Sequence, residues 1–375
     1  MYHGLASQYN DDTRAANPLH VRPVTEVVYM AKSRNNPVGG SPKRTPAKVV
    51  RQRLHATHAL ENGAAPGAPP HAPVRKSYRG SIWSSPLLNP AFGQAVRMME
   101  DVLDMPVWCL VQNTTDPDFK RISLKVYRGF QSLLCTSNVE KVALLIDSPG
   151  GDPAAFRLAR LFQRRGISFT AVIPDYAKSA ATLLALGASE IILGRDAELG
   201  PLDMQEFDPE REQMDSALNA VQALDRLNAF GLMAVDQTMQ FLLRRIPKRT
   251  DVLLPHVLNH VAGLLKPMLE KIDAVEYVRK SRSLKVAEDY AARLMRTRYG
   301  IKKGRDIARR IIENYSDHGF VVDRDEVCAD SDGSGFGLGI EATHAAPELQ
   351  ILLDALTPML DATTLIGRLE EVPHA

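Results

Sequence analysis

The most constraining feature of this sequence is an apolar run that ends in a glycine turn. Residues Val142 to Ile146 are all aliphatic, and Asp147-Ser148-Pro149-Gly150-Gly151 follow at once. A continuous aliphatic run is typical of a strand covered on both faces of a parallel sheet. Glycines allow positive φ and expose backbone N–H groups to a ligand. The sequence therefore predicts a turn at the end of a central strand that can hold a developing oxyanion.

The next segments predict a βαβαβ unit that brings a serine to this turn. Asp152 and Pro153 are suited to the start of a helix, and Gly166 to its end. A strand at Ser168–Ile173, a helix at Ala180–Leu186 and a strand at Glu190–Leu193 follow. Crossover helices of this kind indicate a right-handed parallel sheet. Ser179 then lies at the start of a helix, where backbone N–H groups are unpaired.

Other patterns organise the rest of the chain. Val107–Val111 predicts the first strand of the sheet, and Asp203 is suited to cap a helix that begins near Pro209. Further helices are predicted at Ile122–Leu134, Glu210–Arg245, Val286–Met295, Asp306–Tyr315 and Leu349–Leu360. The helix over Glu210–Arg245 is predicted to break near Gly231.

These residues resemble a known superfamily. The string Asp147-Ser148-Pro149-Gly150-Gly151 is similar to the S-P-G-G loop of Clp proteases and of signal peptide peptidase A, and Ser179 falls where those families carry the nucleophile. Ala177-Lys178-Ser179-Ala180 and Ala197–Asp203 are similar to the serine dehydrogenase proteinase family, soluble relatives of the signal peptide peptidases. Weaker similarity covers residues 289–291 and 317–323, so the resemblance extends over residues 95–345.

The resemblance implies an α/β fold with a Clp protease/crotonase-like parallel β-α-β superhelical core and an additional, mostly helical C-terminal region. It implies a serine endopeptidase that acts on a peptide or protein substrate through an acyl-enzyme on Ser179. The backbone N–H groups of Gly150 or Gly151 and of Ala180 would hold the oxyanion. It also implies a homo-oligomer, and neither a cofactor nor a metal is expected.

A serine needs a base within hydrogen-bond reach, and here the sequence departs from both family patterns. Clp proteases use a downstream histidine, but this chain has none between His71 and His256. Signal peptide peptidases use a downstream lysine, but none occurs between Lys178 and Lys248. Lys178 is adjacent to Ser179, and neighbouring helical residues point about 100° apart, which disfavours direct contact.

The remaining candidates for the base are distant in sequence: His256, His260, Lys266, Lys271 and His318, or a group from a second subunit, whereas Asp203 could orient such a base. Each also has a structural interpretation. Asp203 is favoured as a helix cap, and the lysines and histidines as ordinary surface or core residues. His256 and His260 have the i, i+4 spacing of a metal pair but lack the glutamate of the H-E-x-x-H helix, so metal catalysis is disfavoured.

Two other functions remain open. The crotonase branch uses the same kind of oxyanion hole on acyl-CoA thioesters, but no motif for CoA or for catalytic carboxylates stands out. A catalytically inactive relative that binds peptides or acts as a scaffold would explain the missing standard base.

Composition divides the chain into three predicted parts. Residues 1–80 hold nine prolines and 12 Lys+Arg against 4 Asp+Glu, which predicts a basic, disordered arm. Binding of nucleic acid or an acidic surface by this arm is less favoured than a solvated arm. Residues 81–345 form the peptidase domain with its helical extension, and residues 346–375 a C-terminal helix and tail. No run of 18 apolar residues occurs and the three cysteines lack metal-ligand spacing, so a soluble, cytoplasmic protein without a transmembrane anchor is expected.

Overall fold

The computed structural model describes residues 76–86, 88–203, 205–208, 213–315, 317, 319–328 and 337–372. The strands are β1 Ser77–Gly80, β2 Trp83–Ser84, β3 Val107–Val111, β4 Lys141–Asp147, β5 Ser168–Ile173, β6 Tyr176–Ala177, β7 Glu190–Leu193, β8 Glu198–Leu199, β9 Gln205–Asp208, β10 Gln213–Ser216, β11 Thr343–His344 and β12 Leu365–Val372. The helices are α1 Pro90–Leu103, α2 Leu124–Thr136, α3 Ala154–Arg164, α4 Ala180–Ala185, α5 Ala217–Leu243, α6 Thr250–Leu269, α7 Ala274–Glu313, α8 Arg324–Cys328 and α9 Pro347–Leu360.

The central sheet has the order β1-β12-β3-β4-β5-β7-β11, with β2 also paired to β12. Strands β3, β4, β5, β7 and β11 are mutually parallel, and β12 is antiparallel to β3. The predicted α/β fold with a parallel sheet is therefore confirmed. The parallel strands are almost entirely buried, as expected for a sheet covered on both faces.

Alternate residues of the strands enter two cores. On one face Trp108, Leu144 and Ile146 pack with α2, α3, α4 and α7. On the other face Cys109 and Leu145 pack with α1 and α9. This three-layer arrangement fixes the carboxyl ends of β4 and β5 relative to each other, and the turn after β4 and the turn before α4 lie at that edge.

The C-terminal residues take part in the sheet. After α9 the chain forms β12, which pairs with β3 and with β1. The sequence patterns indicated a helix and tail here and did not indicate either strand. β1 itself lies within residues 77–80, at the end of the segment interpreted as a disordered arm. Residues 1–75 of that arm lie outside the described residues.

The predicted helical run over Glu210–Arg245 is partly wrong. A short antiparallel pair, β9 and β10, comes first, and α5 begins at Ala217 rather than near Pro209. The helix also continues through Gly231 without a break. Gly231 instead allows two helices to pack closely: a Cβ at this position would lie 2.8 Å from Cδ1 of Leu265 on α6, so the glycine lets α6 approach α5.

Helices α5 and α6 form a hairpin with its own small core. Met239 of α5 packs with Leu253, Val257 and Val261 of α6. Within the described residues, α6 is one helix that is long and apolar enough, by length and composition, to span a membrane, and only 11% of its apolar stretch is buried. The hairpin therefore leaves much apolar side-chain surface exposed on the protomer.

Candidate functional site

The glycine turn after β4 is held by Ile122, the residue two before α2. The Ile122 N–H donates to Gly150 O at 2.8 Å, and the Asp152 N–H donates to Ile122 O at 2.9 Å. Gly150 and Gly151 have φ of 97° and 152°. A Cβ at Gly151 would lie 2.1 Å from Ile122 O, so only glycine fits at this close approach. Gly150 and Asp152, on either side of Gly151, make the two backbone hydrogen bonds to Ile122. The N–H of Gly151 therefore faces away from Ile122.

Two buried polar side chains support the turn from beneath. The N–H of Gly150 donates to Ser148 Oγ at 3.1 Å, and that hydroxyl donates to Gln112 Oε1 at 2.7 Å. Gln112 in turn donates to the carbonyl of Phe119 at 2.7 Å. Both side chains are essentially inaccessible to solvent. The sequence analysis did not identify Gln112, although a polar residue directly after the apolar strand β3 is a signal that could have found it.

Ser179 lies directly beside this turn. Its backbone has φ 51° and ψ −116°, between β6 and α4. The Ser148 N–H donates to Tyr176 O at 3.1 Å and the Lys178 N–H donates to Ser148 O at 3.0 Å, which ties the two segments together. A Cβ at Gly150 would lie only 3.0 Å from the Cβ of Ser179. Positive φ at a non-glycine residue stores about 1–3 kcal/mol and is concentrated at functional sites.

Two backbone donors and one hydroxyl remain unengaged at this junction. Across the portion of the chain that the structure describes, the N–H groups of Gly151 and Ala180 and the hydroxyl of Ser179 form no hydrogen bond within the protein. Gly151 is exposed and Ser179 is half-buried, so both are accessible to a ligand. The arrangement can therefore place a carbonyl oxygen against backbone donors while a hydroxyl approaches its carbon.

Thr182 fixes the first turn of α4. Its buried hydroxyl donates to Ala177 O at 2.6 Å and accepts from the Gly200 N–H at 3.1 Å. The strand β6 and the segment after β8 are thereby joined below Ser179. This residue too was missed from sequence, because its partner Gly200 comes 18 residues later in the chain.

Lys178 extends away from Ser179. Its ammonium group forms an ion pair with Glu198 at 2.5 Å and donates to the carbonyls of Leu199 and Phe320, each at 3.3 Å. The side chain also packs over Gly200, where a Cβ would lie 2.6 Å from Lys178 Cδ. The described contacts of Lys178 are thus structural ones that secure β8.

A small pocket of about 60 Å³ opens beside Ser179. Apolar side chains form most of its wall, and the described residues that line it are Gly151, Asp152, Pro153, Ser179, Ala180, Leu183, Leu202, Asp203, Val286, Ala287 and Tyr290. The structure therefore brings Asp203, Gly151 and Ala180 together with Ser179. Val286 and Tyr290 come from α7 and were not predicted to lie near the serine.

Asp203 is buried and also caps a helix, as the sequence analysis favoured. Its Oδ1 accepts from the Leu218 N–H at 3.3 Å, in the first turn of α5. The helix start differs from the predicted one, since α5 begins at Ala217. Asp152 is exposed, and its Oδ1 accepts from the Ala154 N–H at 2.6 Å, which caps α3 as predicted.

The other candidate bases that the structure describes do not line this pocket. His256, His260 and Lys266 are exposed on α6, and Lys271 is exposed in the following turn. Lys266 lies 3.9 Å from Glu270 on the same helix. His318 lies outside the described residues. Among those that are described, no group of three or more His, Cys, Asp or Glu side chains is arranged to hold a metal ion.

Asp147, at the end of β4, has unusual electrostatics. It is almost fully buried, and burial raises the pKa of its carboxyl to about 7. The N–H of Tyr176 donates to Asp147 Oδ1 at 3.3 Å, which opposes this rise, whereas the charges of Asp175 and Asp361 add to it. The same desolvation raises the pKa of the Tyr176 hydroxyl to about 12. The carboxyl group of Asp147, at the start of the glycine turn, is therefore protonated over much of the acidic pH range.

Comparison with known proteins supports the importance of this region. Residues 122–313, just over half of the chain, match the family described as ClpP-like SDH-type serine proteinase. Two uncharacterized proteins of Methanocaldococcus jannaschii are each 38% identical to this chain over 65 residues. That alignment covers 17% of this chain and 22% or 23% of theirs, so the chain spans less than a quarter of either relative.

Proposed function

Since the chain belongs to the ClpP-like SDH-type serine proteinase family, we propose that it is an endopeptidase that cleaves peptide bonds through an acyl-enzyme on Ser179. The observation that carries this proposal is the junction of an unengaged hydroxyl with two unengaged N–H groups. Ser179 has the positive φ of a sharp strand-to-helix turn, and Gly150 is in contact with it. Such a turn exposes a nucleophile at the top of a sheet.

The oxyanion hole consists of the N–H groups of Gly151 and Ala180. The N–H of Gly150 is already donated to Ser148, so it is excluded from this role. Removal of one such donor typically lowers kcat by about 100- to 1000-fold. Gln112 and Ser148 are positioning residues, because they hold the turn that carries Gly151.

In the proposed reaction Ser179 Oγ attacks the carbonyl carbon of the scissile bond and loses its proton to an acceptor. The carbonyl oxygen becomes the oxyanion bound by Gly151 and Ala180. The acceptor returns the proton to the departing amine as the C–N bond breaks, which leaves an ester on Ser179. Water then attacks the ester through a second oxyanion, and the acid product and free Ser179 are released.

We assign the acceptor role to Asp203. It is the buried carboxylate of the pocket beside Ser179, and its Oδ1 already has a defined partner in the Leu218 N–H. The competing source is a group on α6 of a second copy, where His256 and His260 are exposed. These two assignments differ in the pH dependence that each imposes, since a carboxylate and an imidazole have ordinary pKa values near 4 and 6.5.

The first test is labelling of the purified protein with a fluorophosphonate, followed by intact-mass measurement. We expect one adduct, absent from Ser179→Ala and retained in Ser137→Ala, whose hydroxyl only donates to Leu133 O at the end of α2. Absence of an adduct on folded, assembled protein would contradict the proposal. Peptide binding without turnover would then identify a scaffold or peptide-binding protein.

We propose that the protein is a cytoplasmic homo-oligomer joined through the α5–α6 hairpin. Leu232 and Met233 are 68% and 52% exposed on α5, and six large apolar side chains are exposed on α6. Exposed apolar patches of this extent mark interaction surfaces. Light scattering should give a multiple of the protomer mass, and Leu232→Glu should reduce it. A wild-type protein that is monomeric at micromolar concentration, or one recovered with membranes, would contradict this proposal.

A further inference from the structure

The pocket beside Ser179 is too small for the largest side chains. A volume of about 60 Å³ accommodates about four water-sized groups, if each needs roughly 15 Å³ of such space. Aliphatic side chains up to leucine have four heavy atoms or fewer, whereas phenylalanine has seven. Leu183, Leu202 and Val286 contribute apolar wall, whereas Asp152 and Asp203 place carboxyl groups in the lining.

Tyr290 sets the size limit of this pocket. Its ring stacks on Phe156 of α3, with ring centroids 4.0 Å apart and an interplanar angle of only 7°. Ala287, one turn earlier on α7, is buried against the same core. This stacking holds the ring of Tyr290 against α3.

A second, larger groove adjoins the pocket along α7. It has a volume of about 800 Å³ and includes the exposed valines Val275, Val278 and Val286. Val286 lines both the groove and the pocket. From Val275 to Val286 the helix rises about 16 Å, which equals about five residues of an extended peptide. Arg279 and Arg282 also line the groove, which meets the pocket beside Ser179 at Val286.

We infer that the substrate is an extended apolar peptide segment whose acylated residue has a small aliphatic side chain. This inference rests on the proposed function, because it assigns the pocket to the residue whose carbonyl Ser179 attacks. Neighbouring apolar side chains of the substrate lie along Val275 and Val278. Tyr290 is the specificity-determining residue that excludes aromatic side chains from the pocket.

The test uses fluorogenic peptides with identical apolar flanks and Ala, Val, Leu or Phe at the acylated position. For the wild type we expect kcat/KM for Ala, Val and Leu to exceed that for Phe at least tenfold. Tyr290→Ala should raise the ratio of Phe to Ala cleavage at least tenfold. Tyr290→Leu is a second variant that retains apolar packing on Phe156. Tyr277→Ala, on the same helix but outside the pocket lining, is the matched control and should keep the wild-type ratio.

Fluorophosphonate labelling of Ser179 distinguishes a failure of the substrate inference from a failure of the proposed function. If Ser179 is labelled but Phe peptides are cleaved as fast as Ala peptides, the substrate inference is wrong and the proposed function stands. An unchanged Phe-to-Ala ratio in folded Tyr290→Ala and Tyr290→Leu, both still labelled, would also overturn the inference. If wild-type Ser179 is not labelled, the proposed function itself fails, and with it the inference that rests on it.

Discussion

The turn beside Ser179 and the α5–α6 hairpin differ in how much of their contact surface a single protomer covers. At the turn, backbone hydrogen bonds join Ile122 to Gly150 and Asp152, and Ser148 to Tyr176 and Lys178, and a Cβ has no room at Gly150 or Gly151. In the hairpin, α6 buries Leu253, Val257 and Val261 but leaves its remaining large apolar side chains partly or fully exposed.

This difference indicates two kinds of constraint. The conformation of the turn is fixed by contacts within the protomer, because the segments that carry its positive φ angles are hydrogen-bonded to neighbouring backbone. The packing of the hairpin is fixed within the protomer only on its inner face, where the absence of a side chain at Gly231 leaves room for Leu265. Substitutions of the same chemical kind should therefore have large, local effects on catalysis in the first region and small effects on stability in the second.

The largest effect is expected for Gly150→Ala. The added methyl group would lie 2.6 Å from Lys178 O and 3.0 Å from Ser179 Cβ, at a φ of 97° that alanine rarely adopts. We expect kcat/KM to fall at least about 1000-fold, since both the oxyanion donor and the nucleophile are displaced. Gly166→Ala is the matched control: it also has positive φ, 70°, but nothing lies within 4 Å of its added methyl group. Activity of Gly150→Ala within tenfold of wild type would contradict the assigned geometry.

The next effect is expected for Asp203→Asn. The amide oxygen can still accept from the Leu218 N–H, so the cap on α5 is retained while the carboxylate charge is removed. General-base catalysis contributes about 100- to 10,000-fold, so kcat should fall by about 100-fold or more. Asp325→Asn, which alters a fully exposed carboxylate on α8, is the control.

The pH profile of kcat/KM tests this assignment further. Wild-type activity should rise through a carboxyl-type pKa, and this limb should disappear in Asp203→Asn. A wild-type kcat in Asp203→Asn, together with a loss in His256→Ala or His260→Ala, would exclude Asp203 as the acceptor and favour a base from a second copy.

Much of the first region was predictable because its signals are local in sequence. The aliphatic run of β4, the glycines after it and the serine before α4 indicated both the parallel sheet and the turn. Gln112, Thr182 and Tyr290 were missed because their roles depend on partners that come from other elements. Gly231 was interpreted as a helix break because its contact with Leu265 arises only when α6 folds back. Strand β1, at the edge of the sheet, pairs with β12, which comes almost 300 residues later in the chain, so no local pattern reveals their register.

A smaller effect, on stability rather than catalysis, is expected for Asp147→Asn. Burial raises the pKa of Asp147 to about 7 in the folded protein, from an ordinary value of 3.8. The folded state therefore binds more protons, so wild-type stability falls as the pH rises from about 4 to 7 and is constant above that range. Asparagine removes this loss and can still accept from the Tyr176 N–H.

Urea unfolding at pH 5 and pH 8 measures this difference. We expect the free energy of unfolding of Asp147→Asn relative to wild type to increase by about 2 kcal/mol between these two pH values. Asp325→Asn should show no such change, since its carboxylate is 93% exposed. An equal stability difference at both pH values would show that the Asp147 carboxyl titrates alike in the folded and unfolded protein.

The smallest effect, and the sharpest comparison with Gly150, is expected for Gly263→Ala. Gly263 lies inside α6, is exposed, and nothing lies within 4 Å of an added Cβ. In a free helical surface this substitution stabilises by about 0.5–1 kcal/mol, because alanine loses less backbone entropy than glycine. Thermal unfolding in the background of Leu232→Glu, the variant expected to reduce assembly, measures this gain. In the assembled wild-type background, the same substitution tests whether the outer face of α6 is an interface. A decrease in assembly mass would show that a partner lies in close contact with Gly263. An unchanged mass with raised stability would locate the interface elsewhere on the hairpin.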